Sequence, residues 1–447
     1  MAEDVKVPEG WRRVRLGEIS EIVKGITYKS SDYCESEEGA TFINLKCILK
    51  KGGFNKDGLK YFKGLIRESQ ILRKGDIIIA IVDLTRDGDI IGYPLRVPDF
   101  GSNKVVTMSM DVVKIEPDAQ IDKAFLYYRL CLNDIHSYIL SISAGSTVLH
   151  LDLNWLPQLE FSVPLSLPEQ HKIAEILETV DNAIEKTDAI IEKYKRIKQG
   201  LMQDLLTRGI AESDELGVMS YELRDEKKHR FKDSLLGRIP EEWEVVELGE
   251  IGSIRSGSTP DTSKPEFWNG NIVWITPDDL SKLEGKYIYT SSRKITKKGL
   301  QNCSAKIIPK NSVVISSRAP IGYLAISKVD ITTNQGCKSV VLNKLFEIEF
   351  IYYCLFQYID KMIMLGSGTT FSEISKTELS KLKIAVPIAK SEQKRIAKIL
   401  SQIDEALEKE QKYKEKLERI KRGLMEDLLT GKVRVLGVMN YELGVKS

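Results

Sequence analysis

The chain contains an internal repeat, and this constrains its fold more than any other feature of the sequence. Residues 8–25 (PEGWRRVRLGEISEIVKG) and residues 240–257 (PEEWEVVELGEIGSIRSG) agree at 10 of 18 positions, at an offset of 232. Residues 168–207 and residues 391–430 agree at 22 of 40 positions, at an offset of 223. Because self-similarity of this kind marks duplicated structural units, the sequence predicts two copies of one unit, each a globular part followed by a helical part.

The two copies differ in the middle of their globular parts. The sequence from Lys24 to about Leu140 resists alignment with the sequence from Arg255 to about Leu365. Similar frames around different inserts suggest two related modules that read two different things.

Both helical segments carry a heptad pattern, in which apolar or small residues recur in alternating steps of three and four. The first segment has them at Ile173, Leu177, Val180, Ile184, Thr187, Ile191, Tyr194, Leu201 and Leu205, and the second at Ile396, Leu400, Ile403, Leu407, Leu417, Ile420, Leu424 and Leu428. Lys198 interrupts the first seam, and Glu410 and Lys414 interrupt the second. Pro168 suits a first helical turn and Ser391 suits an N-cap. Each helix of ~39 residues would be roughly 58 Å long.

A heptad seam of this length needs a partner helix. The simplest arrangement pairs the two helices with each other, antiparallel, and relates the halves by a pseudo-two-fold axis. In the alternative, each helix packs only on its own globular part, which would need a long flat surface there. The globular parts combine short β-branched runs with a shared amphipathic helix at 125–135 and 350–360. We therefore predict an α+β fold, with two α/β domains separated by two long antiparallel coiled-coil helices.

Composition excludes several classes of protein. The 66 Lys+Arg and 64 Asp+Glu give a net charge of +2, so any basic surface must be local. No apolar run approaches the ~18–20 residues that span a bilayer, and the N-terminus lacks the apolar core of a signal peptide. We therefore expect a cytoplasmic protein. The six cysteines form no C-x-x-C pair and the four histidines are not paired at ligand spacing, so we expect no metal site.

The sequence lacks the common motifs of nucleotide chemistry, and its nuclease-like string is too short. Neither a G-x-x-x-x-G-K-[ST] phosphate loop nor a G-x-G-x-x-G loop occurs, which makes ATP hydrolysis by this chain improbable. Pro277, Asp278, Glu284 and Lys286 spell a PD…ExK string like that of metal-dependent nucleases. Only five residues separate Asp278 from Glu284, too few for a carboxylate-bearing hairpin. We interpret the string as an Asp-capped turn with a surface charged pair.

Two basic runs occupy corresponding places, each just before a predicted buried strand. Residues 46–74 hold nine Lys/Arg against Asp57 and Glu68, a net of +7, and residues 286–310 hold seven with no acid. A single run is more often a solvated face. Two runs at matching places in divergent modules favour a shared polyanion, for which phosphate contacts dominate affinity.

Several strings together resemble the specificity subunit of type I restriction–modification systems. They are the framing P-E-x-W-x-x-x-x-L-G-E-I, the repeated E-Q-…-I-A-x-I-L helix, and the ending G-L-M-x-D-L-L-T. The second module adds SGSTP (256–260), WITPDDL (274–280), SSRAPIGYLAI (316–326), TNQGCKS (333–339) and GSGTTFSEIS (366–375). The resemblance covers about residues 5–430.

The resemblance implies a division into six segments. These are a target-recognition domain at 1–165, a conserved helical region at 166–207, a linker at 208–238, a second target-recognition domain at 239–388, a second helical region at 389–430 and a tail at 431–447. Each recognition domain would read one half of a bipartite double-stranded DNA target, and the helices would set the spacer and dock methyltransferase subunits.

The resemblance also implies partners and their cofactors. Two modification (methyltransferase) subunits and the restriction (translocase/nuclease) subunits would assemble with this chain. S-adenosylmethionine, ATP and Mg would be bound by those partners and not here, so we expect no catalytic residue and no metal ligand. An alternative function is a tandem-domain scaffold whose helices only organise protein partners, with basic runs unrelated to DNA.

Candidate DNA-binding residues lie in the loops that follow strands, where polar side chains can reach base edges. We expect Arg318 to form a pair of hydrogen bonds with a guanine. Asn334 and Gln335 should hydrogen-bond to an adenine, and Lys338 should contact a phosphate. The other candidates of the second module are Ser258, Thr259, Arg293, Lys294, Lys297 and Thr369. Those of the first module are Lys24, Thr27, Tyr28, Arg86, Asp87 and Ser146.

Overall fold

The computed structural model describes residues 7–35, 38–50, 52–85, 87–145, 147–215, 218–318, 320–366 and 373–435. The chain divides into two compact units. The first comprises Met1–Thr187 with Lys414–Ser447, and the second comprises Asp188–Tyr413. Both division points fall inside long helices, so each unit contains a globular module and one half of each helix.

The first unit combines short strands with a few helices. Its helices are α1 (Leu16–Ile19), α2 (Lys123–Leu130), α3 (Asn133–Ser141) and the first half of α4 (Leu167–Thr207). Its strands are β1 (Trp11–Arg15), β2 (Ser20–Lys24), β3 (Tyr33–Cys34), β4 (Ala40–Ile43), β5 (Lys60–Phe62), β6 (Ile77–Ala80), β7 (Val82–Asp83), β8 (Pro94–Arg96), β9 (Val106–Met108), β10 (Val112–Pro117), β11 (Ser143–Ala144), β12 (Leu149–Leu151) and β13 (Glu160–Pro164).

The second unit also combines short strands with several helices. Its helices are α5 (Leu248–Ile251), α6 (Pro277–Ser281), α7 (Lys297–Gln301), α8 (Ile348–Gln357), α9 (Ile359–Gly366), α10 (Lys376–Ser380) and the first half of α11 (Lys390–Leu429). Its strands are β14 (Ile210–Glu215), β15 (Val218–Leu223), β16 (Phe231–Ser234), β17 (Gly237–Pro240), β18 (Trp243–Glu247), β19 (Gly252–Ser256), β20 (Trp268–Ile275), β21 (Tyr287–Ile288), β22 (Lys294–Ile295), β23 (Val313–Ser316), β24 (Leu324–Ser327), β25 (Ile331–Thr333), β26 (Cys337–Leu342) and β27 (Lys383–Pro387).

The two modules share one sheet topology, although their central sequences resist alignment. The antiparallel order β2-β10-β6-β8 in the first corresponds to β19-β26-β23-β24 in the second, where β21 extends the edge. A second sheet contains the parallel pair β4 and β9 in the first module and the parallel pair β20 and β25 in the second. The central strands β6 and β23 are buried along their whole length, as β-branched runs covered on both faces should be. The divergent segments therefore build the same framework.

In each unit, the start of one long helix packs with the end of the other. Residues of α4 (Ile173 and Leu177) share a buried cluster with Leu428 and Leu429 of α11 in the first unit. In the second unit the roles are exchanged, and the buried cluster joins Met202, Leu205 and Leu206 of α4 to Ile396, Ala397 and Leu400 of α11. The halves paired in each unit therefore run antiparallel, as the heptad pattern predicts. The same clusters include the module cores, so the helix ends also pack on the globular parts.

Two expectations about the helix starts have different outcomes. Pro168 is the second residue of α4, which confirms its place in the first turn. The N-cap prediction for Ser391 is wrong, because α11 begins at Lys390 and the amides of Glu392 and Gln393 both donate to the carbonyl of Ala389.

The segment expected to be a linker, 208–238, contains two antiparallel hairpins, β14–β15 and β16–β17. None of the helices in the described ranges has the length and apolar character needed to span a lipid bilayer.

Candidate nucleic-acid interface

Three loops of the second module meet at one edge of its sheets. They follow β19, connect β23 to β24, and connect β25 to β26. The Ser258 amide donates to the carbonyl of Thr333 at 2.9 Å, and the Ser317 amide donates to the carbonyl of Gly336 at 2.8 Å. These backbone bonds hold the loops side by side, so candidates from distant parts of the sequence lie close together.

Polar side chains join two of these loops directly. The Thr259 hydroxyl donates to Gln335 Oε1 at 2.5 Å, which links the loop after β19 to the loop after β25. The Asn334 side chain oxygen accepts the amide of Gly336 at 3.0 Å, so this side chain shapes its own loop. Gln335 is exposed, whereas Asn334 is half-buried. Of the two, Gln335 has the better access to a ligand.

Arg318 follows β23 and lies beside Glu373. One guanidinium nitrogen is 3.7 Å from Glu373 Oε2, and 39% of the Arg318 side chain is exposed. Sequence reasoning missed Glu373, because no local signal marks a loop residue that supports an arginine 55 positions earlier in the chain. The carboxylate holds the guanidinium at the edge without burying it, and this leaves N–H groups for a base edge or a phosphate.

The structure does not support the expected phosphate contact of Lys338. This residue is only 5% exposed. Its ammonium donates to Ser317 Oγ, to the carbonyl of Gln335 and to Glu373 Oε1 at 3.1–3.2 Å. These three acceptors use all three N–H groups of the ammonium, so Lys338 links the loops from their buried side.

Arg293 stacks on an aromatic platform next to the three loops. Its guanidinium carbon lies 3.6 Å from the ring centre of Trp268 and 5.8 Å from that of Trp274. The Trp274 indole N–H donates to the carbonyl of Ser258 at 3.0 Å, which connects this platform to the loop after β19. Stacking fixes the plane of the guanidinium while its edge stays exposed, an arrangement suited to an anion.

The basic run of the second module is mostly, but not wholly, on the surface. Lys297, Lys298, Lys306 and Lys310 are exposed and Lys294 is half-buried. The exception is Lys286, which is buried and donates to the hydroxyls of Tyr353 (3.0 Å) and Ser401 (2.6 Å). Burial lowers the pKa of this lysine. It therefore does not belong to a phosphate-binding surface.

The PD…ExK string does not form a nuclease centre. Thr276, rather than an aspartate, caps helix α6, and Asp278 pairs with Lys282 at 2.8 Å on the surface. The burial of Lys286 separates the last residue of the string from the others. Among the residues that the structure describes, no group of three or more His, Cys, Asp or Glu side chains could hold a metal ion.

An equivalent edge exists in the first module, and two glycines locate it. Gly25 and Gly257 end the aligned framing segments, and a Cβ added to either would lie within about 2 Å of a carbonyl oxygen, at 1.9 Å from Ser109 and 2.0 Å from Asn334. Only glycine permits this approach. The loop after β9 in the first module therefore corresponds to the loop of Asn334 and Gln335.

This correspondence adds two residues that sequence reasoning missed. Met110 is exposed and Asp111 is half-buried in the loop after β9. In the sequence, the only feature that pointed to this loop was the pair of glycines at the ends of the aligned framing segments. An open groove of about 890 Å³ lies here, and Tyr28, Lys46, Lys60, Tyr61 and Asp111 are among its lining residues.

Among the described candidates of the first module, Tyr28 lines this groove, whereas Lys24 and Thr27 line a separate pocket. Tyr28 packs edge-on against Tyr33 (5.2 Å) and Phe42 (5.1 Å), while Lys24 and Thr27 are exposed. Asp87 is exposed in the loop between β7 and β8. Arg86 and Ser146 of this module, and Thr369 of the second, lie outside the described residues.

Asp83 organises the loop that carries Asp87. Its carboxylate accepts the amide (2.6 Å) and hydroxyl (2.7 Å) of Thr85 and the amides of Ile90 (2.7 Å) and Ile91 (3.0 Å). Burial of Asp83 alone would raise its pKa, but these four donors together hold the pKa below its usual value. The carboxylate therefore remains ionised and fixes the path of the loop.

The basic run of the first module lies on the surface. The residues of this run that are exposed are Lys46, Lys50, Lys56, Lys60, Lys63, Arg67, Arg73 and Lys74. Lys50 pairs with Asp89 at 2.6 Å and Lys74 pairs with Asp99 at 3.1 Å, so acids neutralise part of the run.

The two modules share a framework and differ in the side chains at one loop edge, so the chain is a duplicated protein with two candidate recognition sites. The family model described as "Type I restriction modification DNA specificity domain" matches the chain twice, at residues 8–195 and 240–419. The chain therefore belongs to the family of type I restriction–modification specificity subunits.

Named relatives agree with this assignment. The chain is 38% identical over 195 residues to the type I restriction enzyme MjaIX specificity subunit of Methanocaldococcus jannaschii, a match that covers 42% of this chain and 44% of that relative. It is 28% identical to the putative MjaX specificity subunit of the same organism, over 96% of this chain and 95% of the relative. It is 32% identical to the EcoR124I/EcoR124II specificity subunit of Escherichia coli, over 41% of this chain and 46% of the relative.

Solved structures show the same fold. The S subunit of a type I restriction–modification system from M. genitalium superposes with a TM-score of 0.60 at 16% identity, covering 96% of this chain and 97% of that chain. A chain from a study of complex assembly and conformational transition of the type I R-M system superposes with a TM-score of 0.54 at 20% identity, covering 96% of this chain and all of that chain.

Proposed function

We propose that this chain directs a type I restriction–modification complex to a bipartite DNA target, with each module reading one half. The observation that carries the proposal is the convergence of three loops at one edge of the second module. There Arg318 and Gln335 offer an exposed guanidinium and an exposed amide. These groups match the bidentate patterns of guanine and adenine in the major groove.

The divergence between the modules supports two different half-sites. The contacts of Gly25 and Gly257 align Ser109 and Met110 of the first module with Asn334 and Gln335 of the second. The frame beneath these residues is the same. Different side chains at equivalent places on one framework favour recognition of different bases by a common docking mode.

Phosphate contacts would come from the exposed basic residues beside each edge. Lys297 and Lys298 occupy the short helix α7 of the second module, and Lys46 and Lys60 line the groove of the first. Phosphate contacts position a protein on the duplex without reading its sequence.

The long helices would set the distance between the half-sites and dock the methyltransferase subunits. The chain itself would be non-catalytic. S-adenosylmethionine, ATP and Mg would be bound by the modification and restriction subunits, and two modification subunits would match the two copies of the repeat. The scaffold alternative predicts assembly with such partners but no DNA specificity.

The test is to express the chain with its modification subunit and to map methylated sites in host DNA. The proposal predicts a split sequence with a constant gap. Exchanging residues 24–140 for the corresponding segment of a relative should change one half of that sequence and leave the other half unchanged. Methylation that does not depend on the chain, or a target that changes in both halves, would contradict the proposal.

A further inference from the structure

A polar network crosses the helix pair in the first unit. The Tyr128 hydroxyl, on α2 of the recognition module, donates to Asp181 Oδ2 on α4 at 2.7 Å. Lys421 Nζ, on α11, lies 2.6 Å from Asp181 Oδ1. Tyr128 is fully buried, and 32% of the Asp181 side chain and 28% of the Lys421 side chain are exposed. One carboxylate thus joins the module, its own helix and the opposing helix.

The same network recurs in the second unit. The Tyr353 hydroxyl, on α8, donates to Asp404 Oδ2 on α11 at 2.6 Å. Lys198 Nζ, on α4, lies 2.6 Å from Asp404 Oδ1. Tyr353 is also fully buried. Burial comes first among the causes that raise the pKa of both tyrosines, so each hydroxyl remains a proton donor to its carboxylate.

The repeat relates the two networks with exchanged roles. Asp404 and Lys421 follow Asp181 and Lys198 by the helix offset of 223 residues. The helix that supplies the aspartate in one unit supplies the lysine in the other. Each helix therefore carries both groups, 17 residues apart, since 198 − 181 and 421 − 404 are both 17. Only antiparallel pairing at one offset satisfies both networks.

Each module adds a contact of its own at one helix position. Arg96, on β8, lies 2.8 Å from Glu178 of α4 in the first unit. In the second unit, the buried Lys286 donates to Ser401 of α11 at 2.6 Å. Positions 178 and 401 are again 223 residues apart. The position is shared while the partners differ, so this contact matches each module to its own helix.

We propose that the two networks are register locks, defined as Tyr128–Asp181–Lys421 and Tyr353–Asp404–Lys198, which select the offset of the helix pair and position each module on it. Charged groups in or beside an apolar seam specify alignment, because a shifted pairing leaves them unpaired. A slip of one helical turn moves each lysine by about 5 Å along the helix. It would leave two buried tyrosine hydroxyls facing carboxylates that have lost their cations.

The first test exchanges the charges in one lock of the full chain. Asp181→Lys and Lys421→Asp should each lower the melting temperature, and the double variant should recover at least half of the summed loss. A matched control combines Asp181→Lys with Lys198→Asp, which has the same composition but breaks both locks, and should recover nothing. Equal losses in the two double variants would overturn the proposal.

A milder set keeps this test informative if a charge reversal prevents folding. Asp181→Asn, Lys421→Gln and their combination form a double-mutant cycle. The register-lock proposal predicts that the combined drop in melting temperature is smaller than the sum of the single drops. Strict additivity would contradict a direct coupling between these residues.

The second test measures register through DNA spacing, and this arm rests on the proposed function. Lys198→Met with Lys421→Met should let the complex methylate targets whose gap is one base pair shorter or longer, with unchanged half-sites. Lys193→Met with Lys416→Met is the control, since both lysines are exposed and also 223 residues apart. If the variant with both lock lysines replaced loses methylation equally at every gap length, these lysines contribute to stability and not to register, which would contradict the proposal. If the wild-type chain does not direct methylation to a split target, the proposed function fails. The melting-temperature experiment then still tests the register locks, because it does not depend on DNA.

Discussion

Arg224 and Glu392 form a buried ion pair in the second unit. Arg224 Nη2 lies 3.0 Å from Glu392 Oε2, and the side chains are 7% and 9% exposed. Glu392 Oε1 also accepts the indole N–H of Trp243 (3.1 Å) and the amide of Ile210 (3.0 Å). In the first unit, Arg434 binds Glu169, the equivalent glutamate of α4, at 2.7 Å. Each long helix therefore begins with a glutamate that receives a guanidinium from a segment that follows the other helix.

Removal of the Glu392 carboxylate should destabilise the second unit. Glu392→Ala leaves the Arg224 charge buried without its partner, which typically costs about 3–5 kcal/mol. Glu392→Gln keeps an acceptor for Trp243 and Ile210 and should cost less. Denaturant unfolding of the two variants measures the difference. A Glu392→Gln variant as stable as the wild type would show that the charge itself does not matter.

Arg318 should determine base preference in one half-site. Arg318→Ala should weaken binding of the specific target by about 1–3 kcal/mol and relax preference in the second half-site only. Arg318→Lys should restore little if the contact is bidentate, because an ammonium is a point charge. Competition binding with single-base variants of the target measures both effects. Unchanged discrimination in the alanine variant would mean that Arg318 has a structural role.

The basic run near α7 should contribute affinity without specificity. Reversing Lys294, Lys297 and Lys298 to Glu should weaken binding to all sequences alike. It should also reduce the salt dependence, by about 0.9 in the slope of log K against log[salt] for each phosphate that is no longer neutralised. The control reverses three exposed lysines elsewhere in the same unit, Lys376, Lys381 and Lys398. A similar reduction in the control would attribute the effect to net charge alone.

Asp83 should make the first module sensitive to acid. Burial opposes the ionised form, but the donors from Thr85, Ile90 and Ile91 prevail and lower the folded-state pKa below the unfolded value of 3.8. The resulting stability is present above pH 3.8 and is lost as the pH falls through the folded-state pKa. The melting temperatures of the wild type and Asp83→Asn should therefore differ near pH 7 and converge at low pH. Asp57→Asn, at an exposed site, should show no such convergence.

Sequence reasoning recovered the elements that are periodic or repeated. The heptad seam predicted both long helices and a partner for each, and antiparallel pairing was the simplest arrangement of the two; the repeated frames predicted two modules. Lys198 interrupts the apolar seam in the sequence, and its contact with Asp404 gives the reason for a charged residue at this position. A one-dimensional pattern shows that a polar residue breaks the seam but does not show which partner it meets.

The candidate recognition edges were only partly predictable. The structure brings Thr259, Arg318 and Gln335, which were predicted from loops after strands, to one edge of the second module; their contact with DNA stays a prediction. Burial could not be predicted for Lys338 or Lys286, because a lysine in a polar string reads as a surface residue until tertiary acceptors surround it. The shared sheet topology of the divergent segments was also missed, since different side chains satisfy the same backbone pairing.

If two modules read two half-sites at a distance set by the helix pair, a change of helix length must change the gap between the half-sites. Duplicating residues 188–191 and 411–414 adds four residues to each helix between the lock residues, about 6 Å at 1.5 Å per residue. Four residues turn the helix by roughly 400°, so the insertion unwinds the supercoil locally and leaves the apolar seam nearly in line. Lengthening one helix alone is the control, and it should destabilise the chain because the locks no longer align.

The decisive measurement is the methylation map of host DNA for the complex that contains the doubly lengthened chain. Spacing by the helix pair predicts the same two half-site sequences with a gap longer by one or two base pairs, since 6 Å corresponds to at most ~2 base pairs at 3.4 Å each. A folded, active variant that methylates only at the original gap would contradict it.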